Sequence, residues 1–498
     1  MTIETRSARR RRLSITNSDL HNETGVGVGV DYISHLPDAL LHHILSSLPI
    51  KTAAQSATLS SRWRSLWFTL PDLDFSTASS ISDLIITRIL NSRPHHSNVR
   101  LLRFSSSLTF SRLNALFRTA IRHRIQQLHL HVATNDYFNL PRCVISSDSL
   151  RVFNLRSTHP GFRLPPPSVM VSGFRSLNSL SLARMVFHDR PSLVDLFTET
   201  SFPVLKKLNL ERCFGLEHLS VKCPVLEDFS LQLCFQLQGF DVFGPKLQSI
   251  KVSNCFDAYT TLTWVKIVAP NLNTLHWIYN ALTDEINIHN FTSSLNQASL
   301  SLLPQHFVTN KLPSVSALLS AISPAHSLAL DCLCVDIVSS PTYFARYFPP
   351  LNNVNCLELS TALRKQNGPG LANIFRSCSV LHTLTIKIVD GGNIGRKDWR
   401  RDKWERSASE EEQFWETQIE PLKSFLLHLK IVKIEGFMDC LSEVSLTQFL
   451  LKHGSALQQL TLLTTKTKHR DSPIRRREIK SQIMAFPRAS SLVKLYYC

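Results

Sequence analysis

The chain has 498 residues, 43% hydrophobic and 19% charged, with 55 Lys+Arg against 38 Asp+Glu for a formal net charge of +17. This balance excludes a disordered chain and leaves room for two or more domains or one long repeat array. The uncharged run of residues 312–330 is broken by Pro313, Pro324 and His326, and no stretch reads as a membrane span.

Residues 1–30 carry Arg9–Arg12 but no apolar run. They read as a disordered basic tail with a short nuclear-import patch, and not as a secretory signal. Next, Leu40, Leu41, Ile44, Leu45 and Leu48 recur at the spacing of one helical face, opened by Pro37 and stopped by Pro49. A short helix is predicted over Lys51–Ala57. A third starts from Ser60, which can cap it, and places Trp63, Leu66 and Trp67 on one stripe. Three short helices in about 40 residues cannot bury enough surface to stand alone. Their apolar excess is therefore expected to point outward, to another protein or to the rest of the chain.

The run Leu36-Pro37-Asp38, the Leu40/Ile44/Leu45 face, Leu48-Pro49 and the block Leu59-Ser60-Ser61-Arg62-Trp63-Arg64-Ser65-Leu66-Trp67, ending in Leu70-Pro71-Asp72-Leu73-Asp74-Phe75, resemble the F-box. The last two blocks are similar to the version in plant F-box/leucine-rich-repeat proteins. One departure is Ser56-Ala57-Thr58, where many relatives carry a bulkier apolar residue. The resemblance implies docking on the Skp-type adaptor of a cullin-RING ubiquitin ligase. The implied anchors are Leu36, Pro37, Leu40, Ile44, Leu48, Pro49, Trp63 and Trp67.

From residue 99 onward an apolar–x–x–apolar–x–apolar phrase recurs. It runs from Val99/Leu102/Phe104 through Ile125, Leu150, Leu177, Leu205, Leu226 and Leu247 to Leu272/Leu275/Trp277, with steps of 26, 25, 27, 28, 21, 21 and 25 residues. That is the period of leucine-rich repeats. Half-repeat copies at Leu216/Leu219/Val221 and Leu237/Phe240/Val242 leave no room for a helix, so extended segments are expected on both faces there. After Leu303 the phrase is read at Leu330/Leu333/Val335, Val354/Leu357/Leu359, Leu381/Leu384/Ile386, Leu429/Val432/Ile434, Leu457/Leu460/Leu462 and Leu492/Leu495/Tyr497, with returning helices over Pro313–Ile322 and Leu446–His453. Cys213, Cys234 and Cys255 recur just past the strand. Stacked in a row without matching histidines, they read as small buried thiols rather than zinc ligands.

Residues 414–462 resemble the FBD segment that closes many plant F-box/leucine-rich-repeat chains, and beyond 462 a basic, loop-like tail is expected. Asp390–Gln413, with mixed charge and few apolar residues, reads as a mobile insertion. The predicted fold class is an α+β repeat. It comprises a three-helix F-box over 31–75, a curved leucine-rich-repeat α/β solenoid over 76–413 with the insertion near 390–413, and an FBD-like cap over 414–498.

There is no phosphate-binding G-x-x-x-x-G-K-[ST], no H-E-x-x-H and no G-x-S-x-G. The adjacent pairs His42-His43 and His95-His96 diverge on either a helix or a strand. No catalytic residue, metal or cofactor is assigned. Eleven cysteines with no C-x-x-C pair fit reduced thiols in a cytoplasmic or nuclear protein. The resemblance implies a non-catalytic substrate-recognition subunit of an SCF-type ubiquitin ligase. Its partners would be the adaptor, through it a cullin, and a target protein held by the solenoid through residues the sequence does not name. Two alternatives are a repeat scaffold without ubiquitin transfer and a nucleic-acid binder. The latter would use the arginines from Arg88 to Arg124, read as opposed only by Asp83, with Arg118, Arg122 and Arg124 as its test, or the basic run Lys466–Lys480.

Overall fold

The computed structural model describes residues 33, 35–76, 82–94, 97–133, 138–159, 161–164, 167–170, 173–187, 196–288, 295–303, 311–339, 348–389, 408–438, 440–464 and 473–498. The basic tail with Arg9–Arg12, His95-His96, Lys466, Lys468 and Arg470, and most of the 390–413 insertion lie outside them. Two compact units divide the chain, the first ending at Leu70 and the second starting at Pro71.

In the first unit, helix α1 spans Asp38–Ser47, α2 Ile50–Ser56 and α3 Ser61–Thr69. Pro37 and Pro49 occupy the N-cap positions of α1 and α2, where a missing N–H leaves no helical bond unmade. The Ser60 hydroxyl accepts a hydrogen bond from the Trp63 N–H and starts α3 as expected. Both α1 and α2 pack on α3.

In the second unit, sixteen parallel strands form one sheet in chain order, from Asp72–Asp74 to Lys494–Tyr497. The recurring phrase sets the register. Leu102, Leu128, Phe153, Leu180, Leu208, Phe229, Ile250 and Leu275 are Cα partners in succession, and all are buried. Each apolar position is thus covered by the same position one repeat away, about 4.8 Å off. Alternate residues such as Asn154, Ser181, Asn209 and Ser230 form a polar row on the other face of the sheet.

The strands of the middle repeats end alike. Arg184, Arg212, Leu233 and Asn254, each directly after its strand, have positive φ between 51° and 59°. Their left-handed backbone turns the chain off the sheet, whereas Tyr279, at 50°, sits in a bulge of strand Thr274–Asn280 before Asn280 pairs with Leu302. The N–H groups of Arg184, Arg212, Leu233 and Asn254 still donate to the carbonyls of Glu211, Gln232, Ser253 and Ile278 on the next strand. Just beyond three of these turns Cys213, Cys234 and Cys255 point inward. Their thiols donate to the carbonyls of Leu182, Leu210 and Leu231 on the preceding strand. Burial pushes the Cys213 and Cys255 thiols well above the usual range.

The half-repeat copies do form extended segments, and the arrangement reaches further than the two turns read from sequence. Phe197–Thr198, His218–Lys222, Gly239–Phe243, Trp264–Val268 and Glu285–Ile288 make a second, five-stranded parallel sheet. Gly239 is required there, since a Cβ would lie 2.4 Å from His218 Nδ1 and 2.6 Å from the Trp264 ring. Towards both ends helices return the chain instead, as in Phe110–Arg122 and Gly368–Ser377.

Three expectations are corrected. The reading of Leu330/Leu333/Val335 as one strand fails, because the strand is Ser327–Leu330 and Cys332–Val338 is a helix. Asp331 decides this: its carboxylate caps the helix at the Cys334 N–H and accepts from the Ser301 hydroxyl and the Leu302 N–H. The strand Gln297–Leu302 was missed because Ala298 fills the middle apolar position. The segment after 462 is not simply loop, since helix Pro473–Met484 precedes the last strand.

The C-terminal segment has the strand–helix–strand order Ile431–Phe437, Leu441–His453, Gln459–Thr464. Its helix is longer than the predicted Leu446–His453. Glu443 starts it early by accepting from the Met438 and Cys440 N–H groups. Helix Ala408–Glu416 precedes this segment, so the end of the insertion region is helical, and Trp415 and Phe425 both stack on Phe375 of the preceding repeat.

Replacing fully buried Leu231 by Ala should cost about 2–5 kcal/mol, read as a lower Tm, whereas Leu492→Ala at an exposed edge should leave Tm unchanged within error. Thiol titration of the native protein should give one fast-reacting cysteine, exposed Cys498, with Cys213, Cys223, Cys234, Cys255, Cys334 and Cys378 reacting only after denaturation.

Candidate partner-binding surfaces

Helix α1 splits its apolar residues between two neighbouring stripes. Leu41 and Leu45 are buried, while Leu40, Ile44 and Leu48, at i, i+4 and i+8, remain 50%, 41% and 39% exposed. Leu59, between α2 and α3, is exposed too. Surrendering the remaining exposed area of such side chains to a partner yields a sizeable fraction of the roughly 1.5–3 kcal/mol of full burial. This is the outward apolar excess expected from the unit's size.

Internal bonds hold this face in place. Arg62 on α3 donates through Nε and Nη2 to Asp38 Oδ1 and through Nη2 to the Leu36 carbonyl, fastening the Leu36-Pro37-Asp38 entry segment to the third helix. His42 Nε2 lies 3.1 Å from the Leu66 carbonyl and 2.9 Å from Thr69 Oγ1, tying α1 to α3 from the other side. Sequence reasoning quoted Arg62 and His42 without assigning them these roles.

The eight residues named from sequence fall into three groups. Leu40, Ile44 and Leu48 form the exposed stripe, and Pro37 and Pro49 are exposed at its two ends. Leu36 and Trp63 are half-buried. Trp67, at 6% exposure, is part of the unit's interior, so it supports the face from behind. At the departure from the usual pattern, half-buried Ser56 donates its hydroxyl to the Ala53 carbonyl.

In the second unit the basic stretch is less free than composition suggested. Arg100 pairs with Asp72, and Arg103 Nη1 lies 2.9 Å from Asp74 Oδ2. Both carboxylates come from the first strand of the sheet, which the reading of Asp83 as sole counter-charge overlooked. Burial raises the Asp74 pKa, but hydrogen bonds from Ser76 and the charge of Arg103 hold it below the usual carboxylate value overall. Arg93 is buried, and desolvation brings its pKa down to about 10. Arg118, Arg122 and Arg124 remain exposed. Among the described residues no group of three or more His, Cys, Asp and Glu could hold a metal ion, and no helix is long and apolar enough to cross a membrane.

Trp67→Ala should strip protection from the whole 36–70 segment in hydrogen exchange, at a cost of about 3–5 kcal/mol. Leu40→Ala should leave that protection in place, with a change within about 0.5 kcal/mol.

Comparison with known proteins fits this division. The F-box domain family matches residues 33–74, and the family described as At1g61320/AtMIF1, LRR domain matches residues 96–259 and 215–497. An Arabidopsis thaliana protein that carries the name F-box/FBD/LRR-repeat protein At4g03220 is 42% identical over 99% of this chain and 100% of its own length. F-box/LRR-repeat protein At5g02910 of the same plant is 26% identical over 74% of each chain. F-box/LRR-repeat protein 25, also from Arabidopsis, is 31% identical over 38% of this chain and 71% of its own. With a helical trio that leaves one stripe exposed, a leucine-register parallel sheet behind it in sequence, and a relative matching from end to end, the chain belongs to the F-box/FBD/LRR-repeat proteins.

Proposed function

We propose that the chain is the substrate-recognition subunit of an SCF-type ubiquitin ligase. The observation that carries this reading is the exposed Leu40/Ile44/Leu48 stripe of a unit that matches the F-box family over residues 33–74. On this reading the stripe docks on a Skp-type adaptor, with Leu36, Pro37, Pro49 and Trp63 around it and Trp67 supporting it. The adaptor connects the chain to a cullin, and the solenoid holds a target protein. Residues 31–75, 76–413 and 414–498 then act as the docking module, the target-holding array and its cap.

Such a subunit performs no bond chemistry. It acts by holding a target lysine close to a charged conjugating enzyme, which raises the effective concentration of the two reactants. An open repeat array suits this task, because it offers a long surface and loses no stability when individual outward residues vary.

The test is binding of the full chain to a purified Skp-type adaptor, measured by calorimetry. Leu40→Asp/Ile44→Asp places charges at the centre of the face and should weaken binding by at least about 100-fold, with Tm unchanged. No binding by the unaltered chain overturns the proposal. Adaptor binding without ubiquitin transfer in a reconstituted ligase would favour the scaffold reading instead.

A further inference from the structure

Three docking residues of the proposed adaptor face, Leu36, Pro37 and Leu40, lie on a stretch of chain with little packing beneath it. Pro37, Asp38, Ala39 and Leu40 are all exposed, and the first buried side chain of α1 is Leu41. From Leu41 onward the helix is held by the burial of Leu41 and Leu45 and by the bonds of His42 to Leu66 and Thr69. Among the described residues before Leu41, Leu36 alone is half-buried. Among themselves these residues make only short-range backbone bonds. The Leu36 N–H donates to the Ile33 carbonyl, and the Leu40 and Leu41 N–H groups donate to the Pro37 carbonyl. An exposed first turn of this kind frays readily.

Arg62 joins this stretch to the third helix. Its Nε and Nη2 donate to Asp38 Oδ1 at 2.8 and 2.6 Å, and Nη2 also donates to the Leu36 carbonyl at 2.5 Å. The guanidinium thus grips the chain on both sides of Pro37, and its planar fork fixes the separation of the two points. The ion pair is open to solvent, with 39% of the Arg62 side chain and 64% of the Asp38 side chain exposed, so it adds little to stability. What it supplies is order. Once released, the entry segment samples other conformations, and a partner binds only the fraction that holds the docking one.

We propose that Arg62 is a positioning residue for adaptor docking, presetting Leu36, Pro37 and Leu40 by its grip on Asp38 and the Leu36 carbonyl, and that it governs affinity more than stability. The inference rests on the reading of this unit as the adaptor-binding module and adds a residue that acts without touching the adaptor. The docking stripe then has two halves with different supports. Ile44 and Leu48 stand on the part of α1 that Leu41, Leu45 and His42 hold, whereas the entry half depends on Arg62. Removing Arg62 leaves the contact area in place but makes a productive encounter rarer.

The test measures binding of the full chain to a purified Skp-type adaptor by surface plasmon resonance, together with amide hydrogen exchange of the chain alone. Arg62→Met keeps a long stem and good helix propensity and removes every donor. It should weaken binding at least about tenfold through slower association, with the dissociation rate unchanged. Exchange at Leu40 and Leu41 should quicken while α2 and α3 keep their protection. Arg62→Lys, whose ammonium lacks the planar fork, should fall between Arg62→Met and the unaltered chain. Asp38→Asn keeps an Oδ1 acceptor and should bind within about threefold of the unaltered chain. Arg156→Met, which removes the solenoid pair with Glu211, is the unaffected control.

No binding by the unaltered chain defeats the ligase reading and this inference with it. Four results defeat the inference alone. They are unchanged binding by Arg62→Met, unchanged exchange at Leu40 and Leu41, a change confined to the dissociation rate, which marks a direct contact, and lost protection across the whole 36–70 segment, which makes Arg62 part of the fold only.

Discussion

The structure of the second unit depends on one constraint, the in-register stacking of an apolar phrase upon itself. A strand that carries Leu208 and Leu210 cannot bury them alone. They are covered by Leu180 and Leu182 on one side and Phe229 and Leu231 on the other. Because the register never slips across these strands, other features recur in columns as well: the polar outer row, the left-handed strand ends and the inward thiols. A one-residue slip would turn every leucine to solvent, which makes the register the most strongly specified quantity in the unit.

The first unit follows the opposite rule. It is too small to bury all its apolar residues, so α1 divides them. Leu41 and Leu45 hold the trio together while Leu40, Ile44 and Leu48 are left outside. Polar bonds from Arg62 and His42, rather than a deeper core, fix the geometry of that face. Buried and exposed apolar residues thus lie only one position apart on the same helix.

What backs the sheet changes along the array. The two 21-residue steps return through second-sheet strands, as do the neighbouring steps of 28 and 25 residues, and helices return the chain towards both ends. The short repeats also bring their turns close together on one rim, where the Cys-Phe pairs recur. Two of the equivalent turns leave their phenylalanine exposed, Phe214 and Phe235, while the third buries Phe256.

Much of this was readable in the residues. The strand register, the second sheet, the Ser60 cap and the three N-terminal helices follow from spacing and capping chemistry, because these are local signals repeated many times. The reading failed where one polar residue changed an element, as at Asp331, or where a small residue hid an apolar position, as at Ala298. The resemblance placed Trp67 with the anchors, whereas Trp67 is buried within the helical unit, because a helical stripe cannot say which of its edges is inside. The sequence by itself determined which residues must be covered and at what repeat. Only the tertiary structure decided which stayed uncovered: Leu40 rather than Leu41, Phe235 rather than Phe256, Arg212 rather than Arg100. The reason is that exposure is set by what packs or pairs across tens of residues, and no local pattern contains that distance.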